Sequence, residues 1–309
     1  MSTLFITHPV CYDHSNFPGH PEQPDRLKAI SGALEDPAFF MLIRMDAPLG
    51  EIKDIKRVHP PYYIDSILEN VPKEGFHQLD PDTGMCPASG EAALRAVGAG
   101  CAAVDAVMRN EARNAFCAVR PPGHHAEATQ AMGFCLFSNI AIAAKHALHD
   151  FGLDRVAVVD FDVHHGNGTQ SAFEEDPRCF YASSHQWPAF PGTGMEHETG
   201  VANNIVNVPL APGSGSAEFR EAYTGRILPR LRAFDPDLLL VSAGFDAHAS
   251  DPLAQLRLQT ADFAWITDEL QKVARDCCNN RLVSMLEGGY DLPALGACVT
   301  AHMRELMGI

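Results

Sequence analysis

The segment RVAVVDFDVHHGNG, residues 155–168, begins as a continuous apolar run and ends in a cluster of aspartates and histidines. A continuous apolar run, as opposed to an alternating one, is typical of a parallel strand that is covered on both faces of its sheet. Residues two apart on a strand share a face, so Asp160, Asp162 and His164 can point in one direction. The segment therefore predicts a buried strand whose carboxyl end carries reactive side chains.

Other apolar runs of strand length recur along the chain, at 115–120, 179–184, 204–210, 237–245 and 281–289. Segments with helical spacing lie between them, at 89–110, 138–152, 216–234 and 260–277. Pro229 is expected to kink or break the third of these helices. Strands that alternate with helices predict an α/β fold with a parallel sheet. No repeat or linker interrupts the pattern, and we expect a single domain over residues 1–309.

Polar side chains gather where four of these strands would end. They are His124 and His125, the 160–164 group, Asp246, and the 287–290 segment. In parallel α/β sheets, ligands bind in the crevice beyond the carboxyl ends of the strands. The sequence therefore predicts that these four strand ends form one site.

A metal explains this collection of side chains better than separate structural roles do. Asp162 and His164 supply an oxygen and a nitrogen ligand from one face, and Asp246 would complete a set of three. Three protein ligands with an open position are the catalytic pattern for Zn²⁺, although Fe²⁺ accepts the same oxygen and nitrogen set. Any one of these aspartates alone would more often be a helix cap or an ion-pair partner.

The loop RPPGHHAEATQAMGFC, residues 120–135, offers the base that a metal hydrolase needs. A histidine can deprotonate a metal-bound water near neutral pH, and it needs a partner on its other ring nitrogen. Asp160, if it is not a ligand, could orient one of the paired histidines and Asn167 the other. Tyr290 follows a Gly-Gly pair and could donate a hydrogen bond to an oxyanion.

Composition excludes several classes of protein. A net charge of −16 argues against a nucleic-acid-binding surface. No apolar run approaches the roughly 20 residues of a membrane span, and the first residues lack a signal-peptide pattern. Nine cysteines without a C-x-x-C pair make a disulfide framework unlikely for this chain. We therefore expect a soluble, cytoplasmic protein with no membrane or nucleic-acid partner.

The motifs RPPGHH, GFC, DFDVHHGNG, PGTG, SAGFDAH and LEGGYD, in this order, resemble the zinc-dependent histone deacetylase superfamily. The superfamily includes acetoin-utilisation proteins and acetylpolyamine amidohydrolases, and the resemblance extends from residue 20 to residue 291. Asn167 and the segment 244–258 are similar to the class II and bacterial branch. The resemblance implies the arginase-deacetylase fold, a central parallel sheet of about eight strands between helical layers.

The resemblance also assigns roles to individual residues. It implies zinc ligands at Asp162, His164 and Asp246, and catalytic roles for His124 paired with Asp160, His125 paired with Asn167, and Tyr290. It implies a structural K⁺ beside the zinc, held partly by Asp160 and Ser183. Residues expected to contact the substrate are Gly133, Phe134, Phe190, Gly288 and Arg26. The sequence has no clear counterpart to the rim aspartate that anchors the substrate backbone in some relatives, although Asp80 and Asp82 lie nearby.

These expectations predict a zinc-dependent enzyme that removes acetyl or other acyl groups from the ε-amine of lysine in peptides or proteins. An acetylpolyamine or another small N-acyl amine is the alternative substrate, and the chain could act as a monomer or as an oligomer. A two-manganese ureohydrolase is disfavoured because no aspartate adjoins His124 and His125. A non-catalytic module that binds acylated ligands is disfavoured because the ligand set and Tyr290 are complete.

Overall fold

The computed structural model describes residues 2–309. In that range the β-strands are β1 (Thr3–Thr7), β2 (Ile43–Asp46), β3 (His77–Gln78), β4 (Gly84–Met85), β5 (Asn114–Cys117), β6 (Val156–Asp160), β7 (Cys179–Gln186), β8 (Ile205–Leu210), β9 (Leu238–Ala243) and β10 (Leu282–Leu286). The α-helices are α1 (Val10–Asp13), α2 (Asp25–Ala33), α3 (Ile52–Ile55), α4 (Pro61–Glu69), α5 (Ser89–Met108), α6 (Asn139–Asp150), α7 (Asn167–Phe173), α8 (Ser216–Ala222), α9 (Leu228–Phe234), α10 (Thr260–Cys277) and α11 (Leu292–Met307).

Eight of the described strands form one sheet in the order β2-β1-β5-β10-β9-β6-β7-β8, and every neighbouring pair is parallel. The short strands β3 and β4 form a separate antiparallel pair. Each of the six apolar runs singled out in the sequence contains one strand of the large sheet. The predicted α/β class and parallel sheet are therefore confirmed.

Helices cover both faces of this sheet. Successive residues of a strand point to opposite faces. In β10, Met285 approaches Gly100 of α5, whereas the adjacent Ser284 forms a hydrogen bond with His302 of α11. The layer that contains α5 and α6 therefore lies opposite the layer that contains α11 and its neighbours α2 and α10. Strands covered in this way carry mostly apolar side chains, which explains the apolar runs in the sequence.

The helix predicted to kink or break at Pro229 is irregular, but the irregular turn comes just before the proline. Between α8 and α9 the chain makes a π-helical turn, Tyr223–Ile227, and Pro229 occupies the first turn of α9. A proline is tolerated in a first turn because its missing N–H has no partner there, whereas in a helix interior its ring clashes with the carbonyl four residues back. The π turn therefore joins α8 to α9 without a gap in the helical chain.

In the described chain, the cysteines are free thiols, and all but Cys277 are buried. No helix in residues 2–309 combines the length and the apolar character that crossing a bilayer requires.

Leu240 tests how much the sheet core contributes to stability. It lies at the centre of the sheet, beside Val158 and Val283, with none of its surface exposed. We expect Leu240→Ala to lower the free energy of unfolding by about 2–5 kcal/mol, because the surrounding side chains cannot collapse into the cavity. Leu49→Ala is the control, since Leu49 is 51% exposed, and it should cost under ~0.5 kcal/mol. Urea unfolding followed by circular dichroism measures both, and equal losses would contradict this account of the core.

Candidate active site

The side chains singled out in the sequence lie at the carboxyl ends of β5, β10, β9 and β6. These four strands are adjacent in the sheet. Because all four are parallel, the loops that follow them leave the same edge of the sheet. The four strand ends singled out in the sequence therefore lie together at one edge of the sheet.

Asp162, His164 and Asp246 form a group whose ligand atoms lie within 4.8 Å of one another. The Nδ1 atom of His164 is 3.2 Å from Oδ1 of Asp162 and 3.2 Å from Oδ2 of Asp246. The backbone fixes both carboxylates, because the N–H of Val163 donates to Asp246 and the N–H of Gly288 donates to Asp162. Two buried carboxylates and one imidazole nitrogen are a ligand set for a divalent metal.

Two glycines form the wall behind these carboxylates. A Cβ atom on Gly244 would lie 2.0 Å from Oδ2 of Asp162, and one on Gly288 would lie 2.1 Å from Oδ2 of Asp246. No other residue fits at either position without displacing a carboxylate. Gly288 therefore packs against the metal-ligand group, and its predicted contact with substrate stays a prediction.

The two neighbouring histidines have different partners, as the resemblance implied. Nδ1 of His124 lies 2.9 Å from Oδ2 of Asp160, and Nδ1 of His125 lies 2.8 Å from Oδ1 of Asn167. The amide NH₂ of Asn167 donates to Glu127, which turns the amide oxygen towards His125. An amide oxygen only accepts, so His125 carries its proton on Nδ1 and presents the lone pair of Nε2.

The surroundings push the two histidines towards different charge states. Burial opposes a charge on His124, but the carboxylates of Asp162 and Asp160 outweigh that cost and raise the pKa of His124 well above its usual value. Burial and the adjacent His124 and His164 rings lower the pKa of His125 well below its usual value. A charged imidazole therefore lies beside a neutral one, with ring centres 4.0 Å apart.

Tyr290 is held by groups on both sides. Its backbone N–H donates to Oδ2 of Asp251 at 2.7 Å, and the guanidinium of Arg26 lies 4.9 Å from the centre of its ring. Burial and the carboxylates of Asp246 and Asp162 raise the pKa of the Tyr290 phenol well above its usual value. The phenol therefore keeps its proton and remains a hydrogen-bond donor at neutral pH.

Aromatic rings flank the group on two sides. The Phe134 ring is 5.9 Å from that of Tyr290, and the Phe190 ring is 5.0 Å from that of His125. Phe190 is 41% exposed, so it marks the side that is open to solvent. Gly133 packs against the other face of His125, since a Cβ there would lie 2.4 Å from the imidazole. The predicted walls are in place, and their contact with substrate stays a prediction.

Two acidic residues support this arrangement in ways that the sequence did not reveal. Oε2 of Glu287 accepts the N–H groups of Gly123 at 2.7 Å and His124 at 3.1 Å, which ties the histidine loop to β10. The sequence signal for Glu287 was its place as an acidic residue directly after an apolar run. Asp251 binds the Tyr290 backbone across 39 positions of sequence, and no local pattern marks such a contact.

Arg26, Ser183 and the rim acids also have definite positions. Arg26 is fully buried and donates to the carbonyl of Gly289 at 2.6 Å, so it supports the segment before Tyr290. Ser183 pairs in register with Asp160 on the next strand and contacts His185. Of the two rim candidates, Asp82 is the one that accepts the N–H of Gly133, at 3.2 Å. The internal acetate pocket and the K⁺ site stay predictions.

Comparisons with known proteins agree on the family. Residues 20–306 match the histone deacetylase domain family. The chain is 38% identical to the chloroplastic histone deacetylase 14 of Arabidopsis thaliana, over 95% of this chain and 74% of that protein. It is 38% identical to the histone deacetylase-like amidohydrolase of Pseudomonas aeruginosa, over 94% of this chain and 78% of that protein. The crystal structure of the HDA15 HD domain superposes with a TM-score of 0.93 at 34% identity, over 100% of this chain and 89% of that one.

Removing one carboxylate ligand should abolish tight metal binding at the site. Asp246→Asn replaces an anionic ligand with a neutral amide, and we expect metal affinity to fall by more than ~10²-fold, the upper range for changes to groups that merely support a ligand. Titration of chelator-stripped protein with Zn²⁺ in a calorimeter measures the affinity of this site.

Asp235→Asn is the matched control, because Asp235 is exposed and pairs only with Arg155. It should leave the affinity unchanged. Binding by Asp246→Asn that is as tight as that of the unaltered protein would exclude Asp246 from the metal-ligand set.

Proposed function

The chain belongs to the histone deacetylase family and is a hydrolase acting on amides; from this premise we propose that it removes acetyl or other acyl groups from the ε-amine of lysine in peptides or proteins, with zinc as its cofactor. The observation that carries the proposal is the convergence of the Asp162, His164 and Asp246 ligand atoms beside His125, whose ring centre is 5.9 Å from that of His164. A metal-ligand group, a neutral base and a phenol donor are together the parts that metal-assisted amide hydrolysis needs.

The ligand set is one that zinc accepts. Asp162, His164 and Asp246 would hold the ion, and the glycine wall behind the carboxylates leaves no room for a further protein ligand on that side. Fe²⁺ would accept the same set, so the donor atoms alone do not separate the two. When bound, the ion supplies Lewis acidity towards the amide carbonyl and lowers the pKa of a water molecule.

His125 is the group that takes the proton from the attacking water. Its Nδ1 is committed to Asn167, which cannot take up a proton, so the exchangeable position is Nε2. His124 differs because its partner Asp160 is a carboxylate and stabilises an imidazolium. The charge on His124 stabilises the negative charge that develops on the substrate, and a protonated histidine returns a proton to the leaving amine.

Tyr290 donates a hydrogen bond to the oxyanion of the tetrahedral intermediate. Asp251 and Arg26 fix the backbone and ring of Tyr290 before substrate arrives, so no reorganisation is needed when the negative charge forms. A donor that is positioned in advance in a site shielded from water stabilises the transition state more than water would.

The walls of the site favour a neutral chain that ends in an amide. Phe134 and Phe190 offer apolar ring faces to the stem of an acyl-lysine, whereas the free ammonium of the product would lose hydration there. An acetylated polyamine is the second candidate, because Asp82 lies against the Gly133 side of the site and the protein carries a net charge of −16. A polyamine carries positive charge beyond its acylated end, which an acidic rim would attract.

Tyr290→Phe removes the phenol and keeps the ring. We expect kcat for an acetyl-lysine peptide to fall by about 10²–10³-fold, the usual effect of losing one oxyanion donor. Metal content measured by mass spectrometry should not change. Tyr62→Phe is the control because Tyr62 is exposed, and near-normal turnover in Tyr290→Phe would remove the phenol from the mechanism.

A substrate panel tests the proposal directly. Zinc-loaded protein is incubated with an acetyl-lysine peptide, a longer-acyl-lysine peptide and acetylated polyamines, each with and without a hydroxamate chelator. We expect chelator-sensitive release of amine, fastest from an acyl-lysine peptide. Faster release from a polyamine would support the second candidate. No release from any substrate, with zinc confirmed in the protein, would contradict the proposed function.

A further inference from the structure

A second group of metal-ligand side chains lies where α3, α5 and α6 meet. Asp54 of α3, Cys101 of α5 and His146 of α6 place one ligand atom each within 4.8 Å of one another. All three residues are buried. The group shares no residue with the candidate active site, and nothing in the amide hydrolysis proposed above uses it.

Two helical pairs bring further carboxylates to the same place. Cys101 and Asp105 are four residues apart on α5, and His146 and Asp150 are four residues apart on α6, so each pair lies on one helix face. Nδ1 of His146 is 3.4 Å from Oδ1 of Asp54 and 3.0 Å from Oδ2 of Asp150. Ligand atoms that share a tetrahedral ion at ~2.0–2.3 Å are separated by roughly 3.3–3.7 Å. The distances from His146 to Asp54 and to Asp150 are therefore close to the spacing that two ligands of one ion require.

Asp105 prepares the histidine for this role. Its Oδ1 lies 2.8 Å from Nε2 of His146. A carboxylate that accepts the proton of one ring nitrogen directs the lone pair of the other nitrogen outward, which is the usual arrangement behind a metal-bound histidine. Here the lone pair of Nδ1 faces Asp54 and Asp150.

The Asp54 carboxylate is buried, with 3% of the residue exposed. Its Oδ1 atom accepts no well-aligned hydrogen bond, and its charged partner is Arg57 at 3.1 Å. A cavity of about 390 Å³ adjoins it, lined among others by Cys101, His146 and Asp150. The cavity gives an ion a path from solvent to the group.

A cation already stands next to these atoms. Nη1 of Arg57 is 3.1 Å from Oδ1 of Asp54 and 3.2 Å from Nδ1 of His146, and its Nη2 pairs with Asp150. The side chain is 15% exposed, so part of it already reaches solvent. Arg57 therefore neutralises the group when no metal is bound, and it is the competitor that a metal must displace.

We propose that Asp54, Cys101, His146 and Asp150 form a second metal site, selective for a divalent ion such as Zn²⁺ that accepts nitrogen, oxygen and sulfur ligands, and that the bound ion links α3, α5 and α6. Burial raises the pKa of the Cys101 thiol, which keeps its proton until a metal binds. A thiol that coordinates a metal is deprotonated. A thiolate–metal bond at Cys101 is thus the signature of occupancy.

Co²⁺ distinguishes the two sites because the Asp162–His164–Asp246 group contains no sulfur. The chelator-stripped protein is titrated with Co²⁺ and followed by near-ultraviolet absorption, where thiolate-to-cobalt charge transfer appears. We expect a second equivalent of Co²⁺ that produces this band. Cys101→Ser should lose the band, keep the first equivalent and retain the turnover of acetyl-lysine peptide.

Two further variants make the test decisive. Arg57→Gln removes the competing cation and should bind the second equivalent more tightly, with the same band. Cys86→Ser should leave the band unchanged, because Cys86 contacts Ser89 and the Ser15 backbone, not the proposed ligands. Absence of the band in both the unaltered protein and Arg57→Gln would overturn the proposal, as would a band that survives in Cys101→Ser. Neither result depends on whether the protein hydrolyses amides.

Discussion

Burial of negative charge at the carboxyl edge of the sheet is the constraint on which the rest of the site depends. Asp160, Asp162, Asp246 and Glu287 have almost no exposed surface. An uncompensated buried carboxylate costs several kcal/mol, so each one must find donors. The backbone supplies many of them: the chain after β6 folds back so that the N–H groups of residues 162–164 reach these carboxylates. The path of the loop therefore fixes the positions of the carboxylates, because the same backbone N–H groups bind them.

The amino-terminal part of the chain holds a second group of buried charges, which contacts the site through Arg26. Glu22 is fully buried and pairs with Arg26 and Arg120. Burial opposes its charge, but the charge of Arg120 and the hydrogen bonds from His14 and Arg120 hold the pKa of its carboxyl well below the usual range. Arg26 in turn reaches the Gly289 carbonyl and the Tyr290 ring. Removal of one member of such a buried group leaves the others unpaired, which costs more than the pair itself contributes. The position of Tyr290 thus depends, through Arg26, on Glu22, which lies 268 positions earlier in the sequence.

The sequence revealed the parts of the fold and site that have a local pattern. The apolar runs located β5 to β10 because strands covered on both faces are mostly apolar. The expectation that Asp162 and His164 share a strand face is wrong, because β6 ends at Asp160 and both residues lie in the loop that follows it. Strand β2 was missed because it is an exposed edge strand with the sequence IRMD. Helix α11 was not anticipated either. The role of Asp251 was invisible for a different reason, because its contact with Tyr290 joins distant segments and is created by the tertiary structure.

The two metal-ligand groups differ in what balances their charge, and this difference explains how each would behave. Within residues 2–309, no lysine or arginine forms an ion pair with Asp162 or Asp246, whose charged partners are imidazoles. The proposed zinc site therefore has only histidines to balance its carboxylates when it holds no ion. At Asp54 and Asp150, Arg57 already compensates the carboxylates, so the fold does not require an ion there. An ion at the proposed second site would have to exchange with a side chain of the protein, whereas an ion at the proposed zinc site would not.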